Sequence, residues 1–538
     1  MDRPDILIIG GGSAGCVLAA RLSEDAATRV LLLEAGRDTP PDRVEPEILD
    51  SYPRIAYFNP KNLWADLRVQ LTPVPHNNPG AAPPHVRYEQ PRLMGGGSSL
   101  NDMQANRGTP DDYEAWDRMG ATGWGWSNVL PYFRKLERDM DFDGPLHGSD
   151  GPIPIRRIMP DVWPGFSRAA ADAFGAAGYP FIADQNADFT DGYFPVAISN
   201  LYDRRVSTAI GYLTNAVRRR PNLKIQPAAR VLDLVVEGMR IVGVRVVVGG
   251  SEQVINASRV IVCTGALHSP ALLLRAGIGP AAASGALGIP VLADRPGVGA
   301  NLMEHPAISI SAWLKPEARL PETMRRHIHV GLRWSSEEPG CPSQDMYMVA
   351  MCRTGWHPLG LRIGGLMTWA NKTFSRGQVS LAGADPWVEP RVVFAMGSDA
   401  RDVARLKTGL RKIAALYQHP ALAAAVTDPF PTSYSERIRD LGRINRRNLV
   451  LTGLLSAIME TSPRLRARIV QNVVTEGATL QRLLADDEAM EAFVRAKVHG
   501  IWHASGTCRM GDPADRMAVC DTMGQVIGVE GLSVCDAS

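Results

Sequence analysis

The sequence predicts an α/β protein in which a Rossmann-like dinucleotide-binding domain is joined to an α+β domain carrying an antiparallel sheet. Three observations predict it. "DILIIGGGSAGCVLAARL" near the start reads as a buried strand, a glycine turn and a helix. "RVLLLEAG" follows as a second strand that ends in an acid. Further along, "RGQVSLAG" and "EPRVVFAMG" bracket the turn-like "ADPW" as two strands of another sheet. At 538 residues the chain exceeds the size at which one hydrophobic core stops growing, so two domains are expected.

In the first element, Val17, Leu18 and Leu22 share one helix face, and Gly10, Gly12 and Gly15 fit the pattern G-x-G-x-x-G. That pattern provides a tight turn, close approach of backbone to a pyrophosphate, and close packing of helix on strand. Glu34 stands where a carboxylate can accept hydrogen bonds from an adenosine ribose. Spacing alone leaves NAD and FAD open, because both carry adenosine diphosphate. "PRLMGGGSSLNDMQANRG" (Pro91–Gly108) is a second loop too rich in Gly, Ser and Asn for a core element. It either turns the chain or brings N–H groups against a ligand. Most of the aromatic residues that follow, Trp116, Trp124, Trp126, Tyr132 and Phe133, read as core packing.

From Gly151 to Arg204 the nucleotide pattern does not recur. Strands return in "ARVLDLVVEG", "IVGVRVVVGG" and "RVIVCTGALHSP", the last expected beside the first strand and followed by the helix "PALLLRAG". Between Glu436 and Arg468 lie eight arginines against three acids, interrupted by the apolar run "LVLTGLLSAIM". This run is too short to span a bilayer and reads first as a core helix, with a lid and an interfacial helix as alternatives. The ending "GLSVCDAS" reads as a short strand followed by Asp536 and Ser538, residues that cap helix N-termini, with no helix after them.

Composition is that of an ordinary globular protein, 45% hydrophobic and 21% charged, and a net charge of +2 gives no strong field for nucleic acid. Small neutral ligands are the expected partners. Seven scattered cysteines without a C-x-x-C pair fit a reducing compartment, and the opening residues leave no room for a leader, so a cytoplasmic protein is expected. Asp536 occupies an aliphatic slot of the terminal C-a-a-X pattern, so lipidation is not expected. Membrane contact is not expected either, since the one long apolar run reads first as a core helix.

Chemistry is expected at "HGIWHASGTCRMG". His503, held between Trp502 and small residues, can accept a proton at neutral pH, although a core histidine with satisfied hydrogen bonds would look the same. His499, His503 and Cys508 form a loose metal-like cluster, but Gly500 and Gly506 break the helical register and a fourth ligand is missing, so no metal is expected. No G-x-S-x-G elbow offers a serine nucleophile.

Taken together, "GGGSAGCVLAARL…LLLEAG", "GGGSSLN…M…NRG", "GALHSPALLLRAGIG", "RPGVGANLMEH" and "WHASGTCRMG" resemble, in order, the motifs of the glucose–methanol–choline (GMC) oxidoreductases. The resemblance runs from about Asp5 to Ser538. Within the family it is greatest to the 5-(hydroxymethyl)furfural oxidases and aryl-alcohol oxidases, through "YEQPRLMGGGSSLN", "NRGTPDDYEAW", "DQNADFTDGYFP" and "IWHASGT". It implies FAD as cofactor, a discontinuous FAD-binding domain of residues 1–150, 205–310 and 499–538, and a substrate-binding domain of residues 151–204 and 311–498. Gly10, Gly12, Ser13, Ala14 and Gly15 would hold the pyrophosphate, and Glu34, with Ala35 beside it, the ribose. Gly96, Ser98 and Asn101 would lie against the flavin, Val231 would offer its backbone to the adenine, and Trp502, Asp536 and Ala537 would complete the contacts.

The resemblance also makes His503 the base that takes the hydroxyl proton of an alcohol while its carbon gives hydride to flavin N5. It further implies a small-molecule alcohol and either O₂ or another electron acceptor as partners. Ala276 and Ala105 depart from the usual Ser and Tyr, and the arginine-rich stretch is longer than usual. In the family "DAS" leads into a Pro-containing turn and a helix bearing a second active-site His or Asn, whereas this sequence stops at Ser538. A hydroxynitrile lyase on the same fold, or a flavin-binding protein impaired without that segment, are the alternative readings.

Overall fold

The computed structural model describes residues 3–74, 82–433 and 436–538. Its N-terminal strand, Ile6–Ile9, is central to a five-stranded parallel sheet. The order across the sheet is Leu223–Gln226, Val30–Leu33, Ile6–Ile9, Arg259–Val262, Leu532–Val534. Ile6 pairs with Val30 on one side and Arg259 on the other, and Val260 pairs with Leu532. "RVIVC" thus lies beside the first strand as expected. The three inner runs are apolar at successive positions because both faces of the sheet are covered there, whereas the edge strand Leu223–Gln226 carries Lys224 and Gln226. Helix Ser13–Leu22 packs through Gly15, Cys16, Ala19 and Ala20, small residues that let it lie close. Leu7, Leu31, Val260 and Leu532 face a second core that includes Cys508, Val519 and the antiparallel ribbon of Ala229–Glu237, Arg240–Val248 and Ser251–Asn256. The seven cysteines are all free thiols.

A six-stranded antiparallel sheet forms the second large assembly, in the order Val426–Pro431, Ala307–Leu314, Ile363–Ala370, Met346–Met351, Ile328–Trp334, Gly192–Pro195. Helices Gly165–Ala176 and Ala400–Leu416 cover it, with Phe166, Phe174, Leu406, Leu410 and Ile413 in the shared core. The expectation for its strands needs correction. "RGQVSLAG" and "EPRVVFAMG" do pair antiparallel, Gln378–Ser380 with Arg391–Val393, but they belong to a separate four-stranded sheet with Arg68–Gln70 and Val86–Arg87. The strands of the larger sheet carry no clear local signature, since in "AISISAWL" even the polar Ser309 and Ser311 are buried and both faces of the strand are covered.

The core-helix reading of "LVLTGLLSAIM" is overturned. Helix Arg446–Thr461 turns Asn448, Thr452, Ser456 and Met459 inward and leaves Leu449, Val450, Leu451, Leu454 and Ile458 exposed. The inward polar groups are satisfied. Asn448 Nδ2 donates to Asp440 O (2.7 Å), Thr452 Oγ1 to Asn448 O (2.6 Å), and Arg362 Nη1 to Ser456 Oγ (2.5 Å). Among the described residues no helix is long and apolar enough to cross a membrane.

Candidate active site

A cavity of about 560 Å³ opens where the strands of the parallel sheet end. The first glycine loop forms one wall. Gly10 sits at φ +100°, and a Cβ there would meet Cys263 O at 2.5 Å. A Cβ on Gly15 would meet Gly10 O at 1.9 Å, so Gly15 is the glycine that seats the helix on the turn. Gly12 differs, with only Cys263 O at 3.7 Å near its Cβ position, which leaves its cavity side free for a ligand. Helix Ser13–Leu22 has no side-chain cap, so the N–H groups of its first turn, which no helix can satisfy internally, remain for an anion.

The second loop completes this wall. Gly95 N donates to Gly11 O (2.7 Å), and a Cβ on Gly96, at φ +51°, would meet Gly12 Cα at 2.7 Å. Of the expected residues, Gly10, Gly12, Ser13, Ala14, Glu34, Ala35, Gly96, Val231, Trp502, Asp536 and Ala537 line the cavity. Gly15, Ser98, Asn101 and His503 do not. Ser98 Oγ donates to Gly95 O (2.6 Å) and accepts from Thr208 N (3.1 Å). Asn101 Oδ1 accepts from Met103 N (3.0 Å) and Arg205 Nη1 (2.7 Å). Both side chains therefore shape the loop.

The buried Glu34 carboxylate accepts from Gly11 N (2.8 Å) and Gly36 N (2.7 Å), and burial raises its pKa while those amides oppose the rise. Each oxygen keeps a second lone pair for a ribose hydroxyl. Asp536, read as a cap with no helix after it, caps a helix from elsewhere in the chain. Its Oδ2 accepts from Gly265 N (2.7 Å) and Ser269 Oγ (2.5 Å), at the start of helix Gly265–Arg275. The next two residues clamp the loop that follows His503, with Ala537 O accepting from Gly506 N (2.9 Å) and Ser538 O from Cys508 N (2.5 Å).

His503 is exposed, flanked by the cavity-lining Trp502 and Ala504. The protein mass around it and the neighbouring His305 hold its pKa below the ordinary imidazole value, while water on the open side works against the shift. The ring is therefore neutral at pH 7 and can accept a proton. His305 stands edge-on to it, with ring centroids 5.3 Å apart and planes at 81°. Nδ1 of His305 lies 2.9 Å from Ala370 O, so it carries the proton and Nε2 the lone pair.

The loop itself is held from below. The buried Glu304 carboxylate accepts from His503 N (Oε1 3.0 Å, Oε2 2.9 Å), His305 N (2.8 Å) and, in a short contact, Tyr88 OH. Burial raises the pKa of Glu304 to about 7. Trp502 adopts φ +65°, a conformation that costs a bulky residue about 1–3 kcal/mol. Its indole donates to Glu89 Oε2 (3.1 Å) and meets Tyr57 edge-on at 5.3 Å, contacts that help to hold it there. Glu304, His305, Tyr88 and Glu89 fall within stretches noted for their resemblance, yet nothing in their spacing linked them to His503.

Three potential metal ligands, Glu137, Asp139 and His147, converge elsewhere, but Arg107 pairs with Glu137 (2.5 Å) and Arg157 with Asp139 (2.8 Å) and Asp184 (2.7 Å). The cluster is a closed ion network. Asp139, Asp184 and Glu137 push the pKa of His147 up to about 11. A raised pKa of this kind contributes stability that is complete below the unfolded value of 6.5 and lost as pH rises through the folded one. Melting temperature is therefore expected to fall between about pH 7 and pH 11, and His147→Gln to flatten that fall. An unchanged slope in the variant would remove His147 as its source.

A glycine-lined cavity at the strand ends, an acid closing the second strand and a neutral histidine beside the wall define a nucleotide-cofactor oxidoreductase. The chain belongs to the GMC oxidoreductase family, whose N-terminal part matches residues 4–307 and whose C-terminal part matches residues 373–538. Its cofactor is FAD. The chain is 44% identical to 5-(hydroxymethyl)furfural oxidase of Methylovorus sp. (strain MP688), covering 99% of this chain and 93% of that protein. It is 32% identical to the oxygen-dependent choline dehydrogenase of Burkholderia pseudomallei (strain 1710b), over 99% and 89% of the two. The solved structure of pyridoxine 4-oxidase from Mesorbium loti superposes with a TM-score of 0.80 at 27% identity, over 99% and 94% of the two chains.

Proposed function

We propose that the protein oxidises a primary alcohol, benzylic or furanic, to its aldehyde, with His503 as the base. The observation that carries the proposal is a neutral imidazole set between two residues that line the cofactor cavity. Bound FAD supplies the hydride acceptor. Gly12, Ser13 and Ala14 present N–H groups to the pyrophosphate, Glu34 accepts from the ribose, and Val231, Gly96, Asp536 and Ala537 bound the remaining cofactor surface. His503 takes the hydroxyl proton of the alcohol, and Glu304 fixes the backbone from which it reaches. Trp502 forms the apolar side of the reaction space, which suits an aromatic alcohol. On this reading residues 1–150, 205–310 and 499–538 form the FAD-binding domain and residues 151–204 and 311–498 the substrate-binding domain, with the boundary at 310 moved back to 306 because strand Ala307–Leu314 lies whole in the six-stranded sheet.

The test is anaerobic. Benzyl or furfuryl alcohol added to the holoprotein is expected to bleach the flavin bands, and readmitted air separates an oxidase from a dehydrogenase by the rate of recovery. Flavin that stays oxidised with both alcohols would overturn the substrate class.

A further inference from the structure

Helix Arg446–Thr461 is amphipathic in the reverse sense to a core helix. Asn448, Thr452 and Ser456 repeat every four residues on the inner face, and that spacing places Val450, Leu454 and Ile458 together on the outer one. Val450 is 61% and Leu454 62% exposed. Leu449 and Leu451 flank this stripe, Ile444 precedes it, and Leu465 and Val473 continue exposed apolar surface beyond it. A continuous apolar face of this kind on a soluble surface marks a contact site.

The charges around the face have one sign. Asp440 is taken by Arg87 (3.0 Å) and Arg443 (3.1 Å), and Glu460 by Arg319 (2.9 Å) and Arg362 (3.6 Å). Arg446, Arg447, Arg464 and Arg468 are exposed, and among the described residues none of them forms an ion pair. Two guanidinium groups therefore lie at each end of the apolar stripe. A second copy of the chain docked on this face about a two-fold axis would bring two cationic patches together. A bilayer surface offers what the face lacks, hydrocarbon for the stripe and phosphate for the arginines.

We propose that this face docks on an anionic phospholipid bilayer, the stripe seated at the level of the acyl chains and the four arginines among the headgroups. This replaces the expectation from the sequence that the chain makes no membrane contact. The assignment is independent of the reaction the cavity performs. It makes the protein peripheral, since an interfacial helix lies on a bilayer and does not cross it.

The experiment is co-sedimentation of the flavin-loaded protein with vesicles of phosphatidylcholine alone, or with about one third phosphatidylglycerol. Sedimentation only with the anionic vesicles, weakening as salt is raised, is the expected result. The double variant Arg446→Gln/Arg447→Gln should bind about 25-fold more weakly, at roughly fivefold for each arginine near such a surface. Leu454→Gln/Ile458→Gln should lose binding while keeping flavin content and melting temperature, since both side chains are exposed. Absence of sedimentation with anionic vesicles overturns the proposal, as does equal sedimentation of the leucine–isoleucine variant. If light scattering instead shows a dimer that this variant dissociates, the face belongs to a second copy and the proposal fails.

Discussion

Glutamine in place of His503 is expected to lower turnover by about 10²–10⁴-fold at neutral pH, with flavin content unchanged. The ring stands outside the cavity lining, and the loop that carries it is fixed through its backbone by Glu304. Removing the imidazole therefore removes the proton acceptor and leaves the cofactor wall intact. The pH dependence gives a second readout. Because the pKa of His503 is lowered, the base stays neutral below the ordinary imidazole range, and activity on the acidic side is expected to persist there before it falls. Near-native turnover in the variant, measured at saturating alcohol with the flavin-to-protein absorbance ratio as control, would show that another group is the base. His305, with its lone pair directed away from Ala370, would be the first to test.

The second large effect is expected at Gly15. A Cβ there would overlap the Gly10 carbonyl at 1.9 Å, and that carbonyl belongs to the turn that shapes the pyrophosphate wall. Gly15→Val must displace either the turn or the helix. Overpacking of this kind costs about 1–3 kcal/mol, and a comparable loss at the turn would weaken FAD binding about tenfold or more. The purified variant is expected to be pale, with circular dichroism close to that of the parent protein. Full flavin occupancy would mean that the helix can withdraw without disturbing the turn.

The centre of the parallel sheet was legible because its strands are short apolar runs punctuated by glycine, whereas the edge strand Leu223–Gln226 was not, since Lys224 and Gln226 interrupt its apolar residues. Gly10 and Gly15 are fixed by backbone contacts, and Gly12 by the space it leaves empty. Asp536 was legible as a cap, but which helix it serves depends on a contact with Gly265 that no local pattern contains. The same limit hid Glu304. A lone acid between Met and His looks like surface, and only the fold brings it beneath the backbone of His503. The helix at Arg446–Thr461 misled for a different reason. Its apolar residues have helical spacing, but periodicity gives the width of a stripe and not the direction it faces. The direction is set by contacts distant from any local pattern, with Glu460 near the C-terminal end paired to Arg319 and Ser456 on the inner face accepting from Arg362.

Strand Leu532–Val534 joins the parallel sheet beside Arg259–Val262 and delivers Asp536 and Ala537 to the cavity. On a ribosome, the other four strands of that sheet emerge long before it. Until it arrives, the Arg259–Val262 strand has an unpaired edge, and an edge of that kind recruits other chains. Contacts so distant in sequence close slowly. FAD can therefore be captured in a finished site only after synthesis passes the last strand. The yield of active enzyme should depend on the cofactor and chaperones available in that interval as well as on the stability of the finished fold.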